Sequence, residues 1–261
     1  MGLYLARTGI GEAMRSQLVP VAIKAMWFVA LVAAFTSARY FLRPTRLLMP
    51  NEILALSRHH FWILVHIAGG IVAITVGLFQ FVGRLRDAHP RLHRAMGYLY
   101  LSSVFLAGCV GLGLSSDTPV FAADGLRDLV TMDLSFLSLD PSFLGYSRFS
   151  RFSPDQFLLV RVGFTTLAVL WLWTAILAFT RARQHRFERH RTWMMRNYSL
   201  TFAAATIRLA AVPLLLIMRD PVVAITATFW SWILNLIVVE WFIRFQPRSI
   251  SEMSQAVAGV S

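Results

Sequence analysis

Two short segments of this chain place a histidine–arginine pair at the head of a long apolar stretch: His93-Arg94 in LHRAMGYLYL and His190-Arg191 in RHRTWMMRNYSL. A neutral imidazole offers a lone pair to a metal, and two imidazoles from different helices can ligate one haem iron from its two sides. A neighbouring guanidinium grips carboxylates or phosphates through its rigid fork. Two further groups lie within apolar stretches, His66 and Arg208. An arginine that deep in lipid is costly, so Arg208 is expected to face protein, water or an anion. The candidate cofactor-binding residues are therefore His66, His93, His190 and Arg208, with His93 and His190 as the pair for one metal ion. The sequence shows no Walker loop, zinc-protease helix, nucleophile elbow or CxxC pair, and it assigns no catalytic residue.

The elements that must carry these residues are membrane helices. Of the 261 residues 57% are hydrophobic, the mean hydropathy is +0.60, and 15% are charged. A soluble domain of this size carries about a quarter charged residues. Six apolar stretches, 20–42, 60–83, 95–114, 157–180, 193–218 and 221–244, each come near the ~20 residues that cross a hydrocarbon core. Lipid offers the backbone no hydrogen bonds, so these stretches are read as helices. The expectation is an all-α membrane protein with six transmembrane helices in one domain, 1–261. Spans two to five, within 60–215, form its central four-helix bundle. Ala34–Ala38 imitates a cleavage site, but the first apolar run is long enough to remain as a span.

Charge sets the orientation. The formal net charge is +12, and 24 of the 25 basic residues are arginine, Lys24 being the exception. Arg84, Arg86, Arg91 and Arg94 fall between spans two and three. Arg181, Arg183, Arg186, Arg189, Arg191 and Arg196 fall between spans four and five. Both groups belong on the cytoplasmic side, which leaves both termini there too. Segment 115–156, with Asp117, Asp124, Asp128, Asp133, Asp140 and Asp155, is the outer loop. Arg39, Arg43, Arg46 and Arg58 run against this assignment, because they fall between spans one and two. Arginines at membrane faces meet lipid headgroups, and nucleic acid is not an expected partner. The single cysteine, Cys109, lies in an apolar span and reads as a packing residue.

Residues 7, 11 or 18 apart share a helix face. On span two that stripe holds His59, His66, Ala73, Gly77 and Arg84, with Gly70 and Gln80 beside it. On span three it holds His93, Gly97, Tyr100, Val104 and Gly111. On span five it holds His190, Asn197, Thr201 and Arg208. Small residues on such stripes most often let helices approach. The two hairpins also look alike: each turns through an arginine-rich loop, GRLRDAHPRLHR or TRARQHRFERHR, and each returns through Met96 and Tyr100 or Met194 and Tyr198. This pattern suggests a duplicated two-helix unit, with spans one and six added outside.

The motifs His66-Ile-Ala-Gly69-Gly70, Gly77-Leu-Phe-Gln80-Phe, His93-Arg-Ala-Met-Gly97-Tyr-Leu-Tyr100 and His190-Arg-Thr-Trp193-Met194-Met-Arg196, with Arg208, resemble the bacterial membrane family named domain of unknown function 2306. The resemblance runs from about residue 60 to 215. It implies a membrane helical bundle in the bacterial cytoplasmic (inner) membrane and points at the same histidines; it implies no activity. A looser similarity to two-haem b-type cytochromes implies paired histidines at two depths, His93 with His190 at one and His66 at the other. The chain departs from that pattern: span four has no histidine to pair with His66, and His93 and His190 lie in or beside the inner loops.

Three functions follow as expectations. The first is a redox-type electron-transfer protein holding haem b or a quinone, with Trp171 and Trp173 lining the site. The second is a non-catalytic accessory or scaffold subunit of a larger membrane complex. The third is a transporter or lipid-handling protein using the polar line on span five, for which no broken-helix pattern or buried acidic pair is seen. The expected partners are membrane lipid, and quinone or other membrane subunits.

Overall fold

The computed structural model describes residues 23–38, 41, 50–116, 154–218 and 230–244. Their regular structure is helical: α1 (Ile23–Ala38), α2 (Pro50–Phe79), α3 (Gly83–Ala88), α4 (Pro90–Ser116), α5 (Pro154–Arg183), α6 (Phe187–Thr201), α7 (Ala203–Met218) and α8 (Trp232–Arg244). Among the described residues, three stretches are long and apolar enough to cross a membrane: Phe61–Phe79, Pro90–Ser115 and Leu158–Arg183. Ile23–Ala38 is a shorter apolar helix. Most of the outer loop expected at 115–156 lies outside the described residues.

The helices alternate in direction. Along α2 and α4, Gly69 meets Ala107 while Gln80 meets Gly97. Along α4 and α5, Ser115 bonds Thr165 and Tyr98 stacks edge-on to Phe179. Along α5 and α6, Ala178 bonds His190 and Trp171 bonds Thr201. Tyr198 of α6 reaches back to α2, where its hydroxyl donates to the Ile74 carbonyl at 2.9 Å. The α2–α4 and α5–α6 turns therefore lie at one end, the arginine-rich end. Trp27 of α1 packs on Phe79 there, at 4.9 Å between rings. Glu240 of α8 meets Arg196 near the same end.

Small residues set the spacing. A side chain on Gly69 would bring a Cβ within 2.9 Å of Ala107, and one on Gly108 within 2.7 Å of Leu172. Gly77 faces two aromatic rings: an added Cβ would lie 2.5 Å from Tyr198 and 2.8 Å from Tyr100. Gly69 and Gly77 on span two thus serve close packing, the ordinary role of small residues in membrane helices, whereas a Cβ on Gly70 would meet nothing within 4 Å. Large apolar side chains point outward, Phe35 at 82% exposure and Trp173 at 57% among them. In a membrane these faces meet lipid. Trp173 therefore lines no internal site, contrary to expectation; its neighbour Trp171 is the buried one.

Span five departs from a single helix. The chain turns at Phe202, between α6 and α7. In a continuous helix the Ser199 carbonyl would serve the Ala203 N–H. Here the Asn235 amide of α8 donates to it at 3.1 Å, while the Thr206 hydroxyl donates to the Asn235 carbonyl oxygen at 2.9 Å. One asparagine thus bonds both sides of the break. The amino-terminal half, α6, is rich in polar residues, whereas α7 is mostly apolar, with Thr206 its polar residue bonded to Asn235.

Candidate functional site

His93 and His190 are not loop residues. Pro90 opens α4 as its first residue, a place where a missing N–H costs nothing. The His93 N–H then makes the first helical bond, to the His89 carbonyl at 3.0 Å. In α6 the capping residue is Arg186, and the His190 N–H bonds its carbonyl at 2.9 Å. Both histidines are thus the fourth residues of their helices, within the first turn.

The turn before α6 is built to place His190. The Arg186 N–H returns to the Arg181 carbonyl at 2.9 Å and the His185 N–H to Ala182 at 3.0 Å. This crossed pair closes a helix end through one left-handed residue. Here that residue is His185, with φ 57°. The His190 ring then lies against α5, 2.8 Å from Nδ1 to the Ala178 carbonyl. A carbonyl only accepts, so Nδ1 carries the proton and the neutral ring keeps its lone pair on Nε2. This hydrogen bond is the kind that orients metal-binding histidines.

His93 faces the same end. His190 and Arg86 lie close enough to act on it electrostatically. Its Nδ1 is buried without a hydrogen-bond partner. Gln80 ends α2 in a tightened turn, its N–H on the Gly77 carbonyl at 3.1 Å. Its side-chain oxygen lies 3.3 Å from where a Cβ on Gly97 would stand, one helical turn from His93, and its Nε2 is buried and unpartnered. Arg181, in the last turn of α5, donates from Nη1 to Gln184 at 2.8 Å while its Nε is buried with no partner. The sequence read Arg181 as a solvated loop charge; it is half-buried in a helix instead. Arg196, also read as a loop charge, lies within α6. It grips Glu240 through both carboxylate oxygens and stacks on Trp193, 4.6 Å from the ring centre. A lone glutamate in an apolar span was the sequence signal for that pair.

His66 lies elsewhere. Its Nδ1 donates to the Ala107 carbonyl of α4 at 2.8 Å, and its ring covers Gly111. From His93 to Gly111 is 18 residues, about 27 Å of helix. The expected two levels are present, with His66 far from the other pair. The backbone of Arg208 runs within α7, but its side chain lies outside the described residues. Among those residues no group of three or more His, Cys, Asp or Glu side chains is placed to hold a metal ion.

Between the two levels is a polar network that the sequence showed only as a line on span five. Asn197, fully buried, donates to the Trp171 carbonyl at 2.7 Å and to Thr174 at 2.8 Å. Its carbonyl oxygen accepts from the Tyr100 hydroxyl at 2.6 Å. Thr201 lies 2.9 Å from the Tyr100 oxygen and accepts from the Trp171 indole at 2.8 Å. The amide and indole N–H groups each find an acceptor, and the hydroxyls complete one another.

Alternating apolar helices with lipid-facing aromatics define a helical integral membrane protein. The family model described as "Predicted membrane protein (DUF2306)" matches residues 63–139 and 145–243, and the chain belongs to that family. The match begins within α2 and extends past residue 215 to take in α8 almost entirely. No curated protein and no solved structure matches the chain.

Proposed function

We propose that the chain is a six-span protein of the bacterial cytoplasmic membrane that holds a redox cofactor, haem b or a quinone in its place, between His93 and His190. The matched position of the two histidines, each the fourth residue of the returning helix of its hairpin, carries this reading. His190 supports it further, because its Nδ1–H is committed to a carbonyl and its neutral Nε2 is a ligand lone pair. His93 brings a buried ring nitrogen without a protein partner. Haem, when bound, supplies one-electron transfer. The chain's part is to orient the two rings and to close the space beneath them with the Tyr100–Asn197–Thr201 network, seven residues or about 10 Å deeper.

Six spans are supported by the alternation of helix directions, with α1 starting and α8 ending toward the arginine-rich end. The cytoplasmic placing of that end rests on its arginines. The equivalent histidines also support a duplicated hairpin, and α2, α4, α5 and α6 as the central bundle.

The absorption spectrum of protein purified from membranes tests the haem. A Soret band lost in both His93→Ala and His190→Ala is the expected result. A colourless protein that carries no extractable quinone overturns the redox reading and leaves the accessory-subunit and transporter readings. Orientation is tested by thiol labelling of Arg186→Cys and Val130→Cys in a Cys109→Ala background. Label reaching residue 186 in intact cells reverses the assignment.

A further inference from the structure

Span five divides at Phe202, about 18 Å of helix past His190. At that depth lipid supplies no donor, so each backbone carbonyl needs one from the protein. The Ser199 carbonyl takes its donor from α8. The Asn235 amide gives it a hydrogen bond at 3.1 Å, and the Thr206 hydroxyl, beyond the division, donates to the Asn235 carbonyl oxygen at 2.9 Å. The backbone beyond Phe202 is wound tightly: the Ala205 N–H bonds the Phe202 carbonyl, three residues back, at 3.0 Å. The turn of an α-helix would reach the Thr201 carbonyl instead. Nothing local demands this. Residues 199–206 contain no proline or glycine, and Ala203, Ala204 and Ala205 fill the joint with the best helix former. The local sequence favours one continuous helix, and a contact from α8 overrides it.

α8 lies at the edge of the described helices. It packs on α6 and α7, and Leu234, Ile237, Val238 and Trp241 on its outer side are exposed. Between membrane helices there is no hydrophobic drive to associate, so packing and interhelical hydrogen bonds do the holding. Both bonds of Asn235 and the Glu240–Arg196 pair go to span five. We infer that the joint at Phe202 is a two-state device set by Asn235. With α8 docked, the asparagine serves the Ser199 carbonyl and span five stays divided. With that donor withdrawn, the Ser199 carbonyl takes the Ala203 N–H, and α6 and α7 join into one helix. The tightened turn winds about 120° per residue, against about 100° in an α-helix. Joining therefore rotates the faces of α7 relative to α6 by about 20° for each residue relaxed. Thr201, the last residue of α6, adjoins the joint and bonds Trp171 and Tyr100, so the change reaches the polar network of the interior. The device needs no cofactor and stands apart from the redox reading.

The test is hydrogen–deuterium exchange of the full chain in detergent, read by mass spectrometry on the peptide covering residues 199–206. Asn235→Leu removes the donor from α8. If the helix joins, exchange across the peptide slows by about threefold or more, the worth of one hydrogen bond within the membrane. If Asn235 only ties α8 to span five, its loss leaves exchange unchanged or faster, and the inference is overturned. Thr206→Val leaves the Asn235–Ser199 bond in place and is expected to change exchange by roughly twofold or less, the loss of a single weak bond. An equal slowing in Thr206→Val also overturns the inference. A distance measurement gives an independent reading. Spin labels at Arg189→Cys in α6 and Ile217→Cys in α7, both exposed positions, are placed in a Cys109→Ala background. Asn235→Leu is expected to lengthen their separation toward the about 42 Å of a continuous helix. A separation equal to that of the protein with Asn235 intact overturns the inference. Should Asn235→Leu fail to fold, Asn235→Ala is read by the same two criteria.

Discussion

The interior of this protein and its arginine-rich end treat polar groups in opposite ways. In the interior, Asn197, Thr201, Tyr100, Trp171 and Thr174 come from three helices and satisfy one another. At the arginine-rich end, Gln80, His93 and Arg181 keep buried nitrogens unpaired. Burial is deepest around Asn197, where an unpaired group is most costly, and within that network the pairing is complete, although Ser231 Oγ and Trp232 Nε1 at the start of α8 are buried without a partner. Near the surface the cost is lower, and a fold can hold donors in reserve for a ligand. The polar line on span five is thus two things. Its middle is a structural network, and its end at His190 belongs to a candidate site.

Substitutions can break this contrast. The largest effect is expected from Gly77→Val. Its Cβ atom would meet Tyr198 at 2.5 Å and Tyr100 at 2.8 Å, driving apart the rings that roof the network. Overpacking of a filled core typically costs about 1–3 kcal/mol, and two rings are struck here. Loss of monodisperse protein on gel filtration in detergent is the expected result; a wild-type melting temperature would show that the tyrosines yield.

Asn197→Leu comes next. It removes three interhelical hydrogen bonds. Such bonds average about 0.6 kcal/mol each in membranes, so a loss near 2 kcal/mol is expected in an SDS-unfolding titration. His190→Phe should cost less, because one ring bond to Ala178 is lost, while cofactor binding falls away entirely. Equal losses of stability in these two variants would erase the distinction between core and mouth.

His185→Gly should act in the opposite direction. A non-glycine residue at φ 57° carries a left-handed strain of about 1 kcal/mol. Relieving it should raise the melting temperature and leave ligand binding at the mouth unchanged. Tyr198→Phe has the smallest effect, about 0.6 kcal/mol for the single bond to Ile74, measured by the same titration.

Much of this was legible in the sequence. Apolar length gave the helices, because lipid leaves the backbone no alternative. The repeated His-Arg heads gave the matched histidines, although the turns before them differ: Pro90 opens α4 after α3, while α6 follows the left-handed turn at His185. Three things were not legible. The break at Phe202 carries no proline or glycine at the bend; it depends on Asn235, 33 residues later. Arg181 and Arg196 looked like loop charges, because composition does not say where the last turn of a helix ends. The donors of Gln80 and Arg181 became notable only once their surroundings showed no acceptor.

With the two amide atoms of Asn235 bonded on either side of Phe202, α8 acts as a splint across the bend in span five. The bend angle is therefore held from a neighbouring helix. Sliding α8 along its axis is expected to load span five first at Phe202, where these two bonds are made. The grip of Glu240 on Arg196 carries the same displacement to within two turns of His190.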